Sequence, residues 1–180
     1  MLGKTVTTEF ATFTPGKTRN PHRLTHTPGG SSSGSAAAVA DHMVPLAFAS
    51  QTAASVIRPA AFCGIVGYKP SLGLVNRSGV KPLSDSLDTI GFLARSVEDV
   101  ALFAAATTGD RSLLQLETSL SPRIALCHTH EWSYADKDTQ RAMEHAAFAL
   151  AQAGHRVREL TLPERDRKST RLNSSHTDNL

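Results

Sequence analysis

Two serine-bearing segments carry the residue types that can do chemistry. The first is TPGGSSSGSAAAVA, Thr27 to Ala40, and the second is QTAASVIRPAAFCG, Gln51 to Gly64. A free serine hydroxyl is a poor nucleophile at neutral pH and needs a base to take its proton. Small residues around a serine let backbone N–H groups converge on one point, which is what holding an oxyanion requires. Glycine and serine alone leave the first segment open to three readings: linker, phosphate cradle or catalytic loop. The residues after it narrow them. GSAAAVADHMV, Gly34 to Val44, predicts a helix of small residues that can lie close to a neighbour, ended by Pro45. That argues against a linker. A phosphate-binding loop needs G-x-x-x-x-G-K-[ST]. Gly3-Lys4-Thr5 lacks the upstream glycine, and no lysine follows GGSSSGS, so the spacing argues against nucleotide binding.

These segments need elements to position them. The first thirty residues, rich in Thr, Pro, Gly and His, read as loop with at most a short helix. PLAFASQT reads as a short buried strand. AASVIRPAAFCG reads as a turn entering a short helix, with Pro59 suited to its first turn. IVGYK is a second buried apolar run. Ser96-Val-Glu-Asp99 fits an N-terminal capping pattern and opens a helix that Gly109 can close. RIALC, Arg123 to Cys127, reads as a strand. Asp136 to Ala153 predicts an amphipathic helix, with Met143, Ala146, Ala147, Leu150 and Ala153 at helical spacing and Gly154 as the stop. RVRELTL alternates like an edge strand. Strands alternating with helices predict α/β layers.

GGSSSGSAAAVA, QTAASVIRPAAFCG, VGYKPSLGLV and SLDTIGFLARSVEDVA together resemble the amidase signature family. The resemblance runs from about Gly3 to Glu164. Its two serine motifs stand in order and 24 residues apart, from Ser31 to Ser55. It implies an α/β/α sandwich around a mixed β-sheet, present here only in part. It also implies amide cleavage, or ammonia transfer between amides, by a Ser–Ser–Lys triad without metal or organic cofactor. Carried over, Ser55 is the nucleophile and Ser31 the bridging serine, preceded by a cis peptide at Gly30-Ser31. The amides of Thr52, Ala53, Ala54 and Ser55 are the oxyanion-hole candidates. Ser32 and Ser33 are expected to bond to backbone and shape the bend.

Two departures from the family pattern matter. The family's lysine precedes the bridging serine by several tens of residues. Only Lys4 and Lys17 precede Ser31, and Lys4 lies in a segment that matches the family downstream of its lysine. The triad lysine is therefore expected outside these 180 residues, the chain is expected to be a fragment, and the fragment alone is expected to be inactive. Ala54 is the second departure, since many relatives carry glycine there. Alanine costs on the order of 1–2 kcal/mol if that position needs positive φ, and nothing otherwise. Gln51-Thr52-Ala53-Ala54 resembles stand-alone amidases more than the amidotransferase's A subunit, which usually has an aspartate and two glycines there. A hydrolase acting on a small-molecule amide is therefore preferred. The alternatives are the A subunit of a glutamine-dependent aminoacyl-tRNA amidotransferase, or an inactive non-enzymatic fragment.

Composition bounds the rest. The 180 residues are 40% hydrophobic and 19% charged, which reads as globular. Net charge is +3. Much of the basic excess is late, at Arg156, Arg158, Arg165, Arg167, Lys168 and Arg171. No aromatics interleave it, so it reads as solvated and no nucleic-acid partner is expected. No window reaches the roughly 18–20 apolar residues of a membrane span, and the N-terminus has no apolar signal core. A cytoplasmic enzyme is expected, and the full-length protein can be a homodimer. Cys63 and Cys127 form no CxxC pair, and Cys63 reads as a buried structural thiol. His128 and His130, and likewise His22 and His26, lack a third ligand at metal spacing, so no metal is expected. Arg58, three residues after Ser55, suits either a substrate carboxylate or a structural ion pair, with Asp85, Ser86 and Asp88 as its possible partner region. Residues 1–164 are read as one partial domain. Residues 165–180, RDRKSTRLNSSHTDNL from Arg165 on, read as a non-native or disordered tail. Substrate-binding residues are not legible.

Overall fold

The computed structural model describes residues 1–12, 14–115 and 122–161. The expected tail, 165–180, lies outside the described residues. The described residues divide into two compact units, 1–115 and 122–161.

The first unit is built on a three-stranded antiparallel sheet in the order β1-β3-β2: β1 is Leu46–Gln51, β2 is Val66–Tyr68 and β3 is Thr89–Ala94. Leu46 pairs with Ala94 and Gln51 with Thr89 along β1, while Val66 pairs with Ala94 and Tyr68 with Phe92 along β2. Successive side chains of a strand point to opposite faces, and β3 shows this at its centre. Leu93 joins Ala36, Val39, Val56, Ala60 and Cys63 on one face. These residues come from α1 (Ser33–Ala40), α2 (Ile57–Phe62) and the turns flanking α2. Phe92 and Ala94 join Val100 and Ala104 of α3 (Val97–Thr108) on the other. Helices therefore cover both faces of this sheet, the layered α/β arrangement expected.

The strand at 89–94 has no counterpart among the elements expected from the sequence. TIGFLA buries five of its six residues, so it has no alternation to find. A short apolar run covered on both faces carries no periodic signal. The opposite difference holds for β1 and β2. They are edge strands, and both are less buried than PLAFASQT and IVGYK predict, with Phe48 half exposed.

The capping expectations hold. Ser96 Oγ accepts from Asp99 N–H at 3.1 Å, and Gly109 closes α3 at φ 78°. In the second unit β4 (Arg123–His128) pairs in parallel with β5 (Arg156–Thr161), and α4 (Lys137–Gln152) joins them. Asp136 caps α4 by accepting from Thr139 N–H at 2.7 Å. Of the predicted apolar stripe, Ala147 and Leu150 are half-buried while Met143, Ala146 and Ala153 are exposed. Among the described residues no helix is long and apolar enough to cross a membrane.

Candidate active site

The two serine segments meet in the first unit. Ser31 follows the cis peptide Gly30–Ser31 and sits just before α1. Seven of the eight residues of α1 are buried, because Ser, Gly and Ala side chains let its backbone approach its neighbours. Gly34 shows how close. A Cβ there would stand 2.6 Å from Val6 N and 2.8 Å from Val6 O, and Gly34 N–H donates to that same carbonyl at 2.9 Å. The chain around Val6 is thereby strapped across the serine loop. Thr8 N–H donates to Ser31 O at 2.9 Å, and Thr5 and Ser35 share a hydroxyl hydrogen bond at 2.7 Å. The sequence reads residues 1–30 as loop and gives this strap no part in the site.

Ser55 sits in the turn between β1 and α2. Its carbonyl accepts from Ser32 N–H at 3.3 Å. Ser32 Oγ also donates to Ser50 O and accepts from Ser50 N–H, both at 3.3 Å. Ser32 thus ties the bridging loop to both the edge of β1 and the turn that carries Ser55. Ser33 Oγ donates to Val6 O at 3.4 Å. Ser32 and Ser33 therefore both bond to backbone, as expected for serines that shape a bend.

Ser31 and Ser55 line one cleft of about 250 Å³, together with Thr7, Ser50 and Thr52. Its opposite wall is the 77–90 segment, including Arg77, Lys81, Asp85 and Asp88. Lys81 is the lysine found there; Lys4 and Lys17 do not line it. Among the described residues nothing accepts from the N–H groups of Ala53, Ala54 and Ser55, which leaves three donors in one bend. Ala54 is not among the residues with positive φ, which besides glycines are Phe10, Ala11 and His42. Alanine is unstrained at that position.

The turn is held from both sides. Gln51, buried at 7% exposure, accepts on Oε1 from Val56 N–H at 2.9 Å and Ile57 N–H at 3.1 Å. Its Nε2 donates to Ala53 O at 2.8 Å. Thr52 Oγ1 donates to Asp88 Oδ1 at 2.5 Å. Asp88 Oδ2 accepts from Leu83 N–H at 2.6 Å and Ser84 N–H at 3.0 Å, and the Arg77 guanidinium stands 3.9 Å away. Burial pushes the Asp88 carboxyl up, but the hydrogen bonds from Thr52, Ser84 and Leu83 and the Arg77 charge outweigh it and hold it below the ordinary carboxylate range. Asp85 stands 4.0 Å from Arg77 as well. Arg77, rather than Arg58, is thus the cation seen beside these two carboxylates. Arg58 Nε donates to Gly30 O at 2.8 Å, one peptide before Ser31.

Cys63 and the histidines weighed as ligands do not line the cleft. Cys63 is fully buried, donates to Pro28 O at 3.5 Å, and burial pushes its thiol up to about 11, which suits an inert structural thiol. His22 Nε2 meets Cys63 O at 2.8 Å, and the His128 ring packs on Trp132 with centroids 4.4 Å apart. Among the described residues no three metal-ligand side chains cluster.

Known proteins resemble this chain in sequence and fold. A family model described as Amidase matches residues 1–172. The A subunit of glutamyl-tRNA(Gln) amidotransferase from Clostridium botulinum is 41% identical over 163 residues, covering 83% of this chain and 34% of the relative. Among solved structures, a native peptide amidase from Stenotrophomonas maltophilia superposes with TM-score 0.77 at 35% identity, covering 94% of this chain and 40% of that one. The A subunit of glutamyl-tRNA(Gln) amidotransferase from Thermotoga maritima gives TM-score 0.76 at 32% identity, covering 89% and 40%. The chain therefore spans well under half the length of the relatives it matches. On the family match, the two serine motifs and the layered fold, the chain belongs to the amidase family.

Proposed function

We propose that this chain carries the serine pair of an amide-cleaving site that works through a serine acyl-enzyme. Ser55 is the nucleophile and Ser31 the bridging serine. A neutral lysine outside these 180 residues takes the Ser31 proton, Ser31 takes the Ser55 proton, and Ser55 Oγ attacks the amide carbon. The carbonyl oxygen gains negative charge within reach of the N–H groups of the Thr52–Ser55 bend. The relay returns a proton to the leaving amine, and water releases the acyl group. The observation that carries this reading is that Ser31 and Ser55 line one cleft. The acyl donor is a small-molecule amide, and no cofactor takes part. In the full-length protein, Ser55→Ala should lower amide hydrolysis by roughly six orders of magnitude. Retained turnover would sink the nucleophile assignment.

A second reading is favoured by one observation: a relative named as the A subunit of glutamyl-tRNA(Gln) amidotransferase is 41% identical over 83% of the chain. In that reading the same serines release ammonia from glutamine for transfer to an aminoacyl-tRNA, and a nucleic-acid partner follows. Gln51-Thr52-Ala53-Ala54 favours the stand-alone hydrolase. Assaying the full-length protein for ammonia transfer beside plain hydrolysis separates the two.

A further inference from the structure

The side chain of Gln51 is a buried amide stitched to both halves of the turn that presents Ser55, and the amide-cleaving reading gives it no role. Its orientation is fixed chemically. Oε1 faces two N–H donors and Nε2 faces a carbonyl, and the flipped amide would set donors against donors. The Nε2 bond holds the Ala53 carbonyl toward Gln51. In a trans peptide the C=O and the next N–H point in opposite directions. The Ala54 N–H is therefore held on the side away from Gln51. Two links further on, in the Ser55–Val56 peptide, Val56 N–H is bound by Gln51 Oε1 while Ser55 C=O is bound by Ser32 N–H. The Ala53–Ala54 and Ser55–Val56 peptides thus have set orientations before any substrate arrives.

We propose that Gln51 is a positioning residue that presets the Ala54 N–H as an oxyanion donor through its hydrogen bond to the Ala53 carbonyl. The proposal rests on the amide-cleaving reading of Ser55. Gln51 touches no reacting atom; it acts through one peptide plane.

Gln51→Glu isolates the bond that matters. A carboxylate still accepts from Val56 and Ile57 N–H but cannot donate to Ala53 O. Protonated, it can. The full-length Q51E enzyme should therefore lose roughly ten- to hundredfold in kcat at pH 8 with KM nearly unchanged, a share of what losing one oxyanion donor costs. The ratio of Q51E to wild-type kcat should climb as pH falls and the carboxyl protonates. Asp88 beside Thr52, Arg77 and Arg58 are common to both proteins and cancel in that ratio. Gln51→Met, which offers neither donor nor acceptor, should lose kcat at every pH. A ratio flat with pH, or a loss that falls on KM alone, overturns the positioning role. A readout without turnover stands beside these, and it also serves if a variant is poorly active. The carboxyl introduced by Q51E, facing the Ala53 carbonyl, should titrate above the ordinary glutamate range by carbon-13 NMR, and an ordinary value overturns the proposal. Failure of the amide-cleaving reading shows separately, as hydrolysis that survives Ser55→Ala.

Discussion

Helices α1 and α4 contrast the two ways this chain uses a helix. α1 has eight residues and buries seven; α4 has sixteen and buries none. α1 is built of small residues on every side, so it shows no amphipathic stripe and fits because its neighbours come within backbone contact. α4 has the stripe, yet its apolar residues are at most half-buried, and Leu126 is the one buried hydrophobic residue among those described in its unit. Burial, not helical periodicity, marks the region that builds a site. A site needs side chains locked within fractions of an ångström, and the packing around α1 and the serine turn supplies that.

The same substitution in the two units tests the contrast most strongly. Phe92 is fully buried, with the rings of Phe48, Tyr68 and Phe103 around it. Phe92→Ala should cost about 3–5 kcal/mol through lost transfer and a residual cavity. Phe148 on α4 is 60% exposed, and Phe148→Ala should stay within about 0.5 kcal/mol. Denaturant unfolding of both variants measures the difference. Similar losses would mean that α4 is packed as tightly as β3.

Glycine and alanine exchanges sharpen it next. Alanine is favoured over glycine in a helix by about 1 kcal/mol. Propensity alone therefore makes Gly34→Ala stabilising. The contact with Val6 backbone at 2.6 Å decides otherwise, because no rotamer can relieve it. The strap must lift, for a net loss of roughly 1–3 kcal/mol. In α4 the reverse exchange, Ala146→Gly, should cost about 1 kcal/mol, the propensity alone. Thermal or denaturant melts of the two variants give both values. A stabilising Gly34→Ala would remove the close approach from the account of α1.

What could be read from the sequence divides along the same line. Caps and periods are local, so Ser96, Gly109, Asp136 and the span of α4 were legible to within a residue or so. Ser31 and Ser55 were legible only because two motifs resemble a family; pattern and spacing alone argued against linker and cradle but assigned no serine a role. β3 was hidden because a strand covered on both faces has no alternation. The strap at Val6 and the hydrogen bonds of Gln51 were hidden because they join positions whose meeting depends on the fold. The pairing of Asp88 with Thr52, 36 residues apart, could not be read for the same reason. A buried amide amid TAAS was the signal available for Gln51: polar groups in such a run are retained where backbone groups need partners.

The smallest effect separates two helix caps by their chemistry. Ser96 caps α3 with a neutral hydroxyl, and Ser96→Ala should cost about 0.5–2 kcal/mol at any pH. Asp136 caps α4 with a carboxylate that the Thr139 backbone N–H, then its hydroxyl, hold below the ordinary value of 3.8. A carboxyl whose folded value is depressed stabilises the folded state fully above the unfolded value and loses that contribution as pH falls through the folded one. The first turn of α4 should therefore lose protection against amide exchange, relative to intrinsic rates, as pH drops below about 4, while the first turn of α3 keeps its own. Asp136→Asn, a neutral cap, should make the two helices respond alike. An α4 that holds its protection through that range would mean that tertiary contacts, rather than its cap, secure its first turn, and the contrast with α1 would narrow.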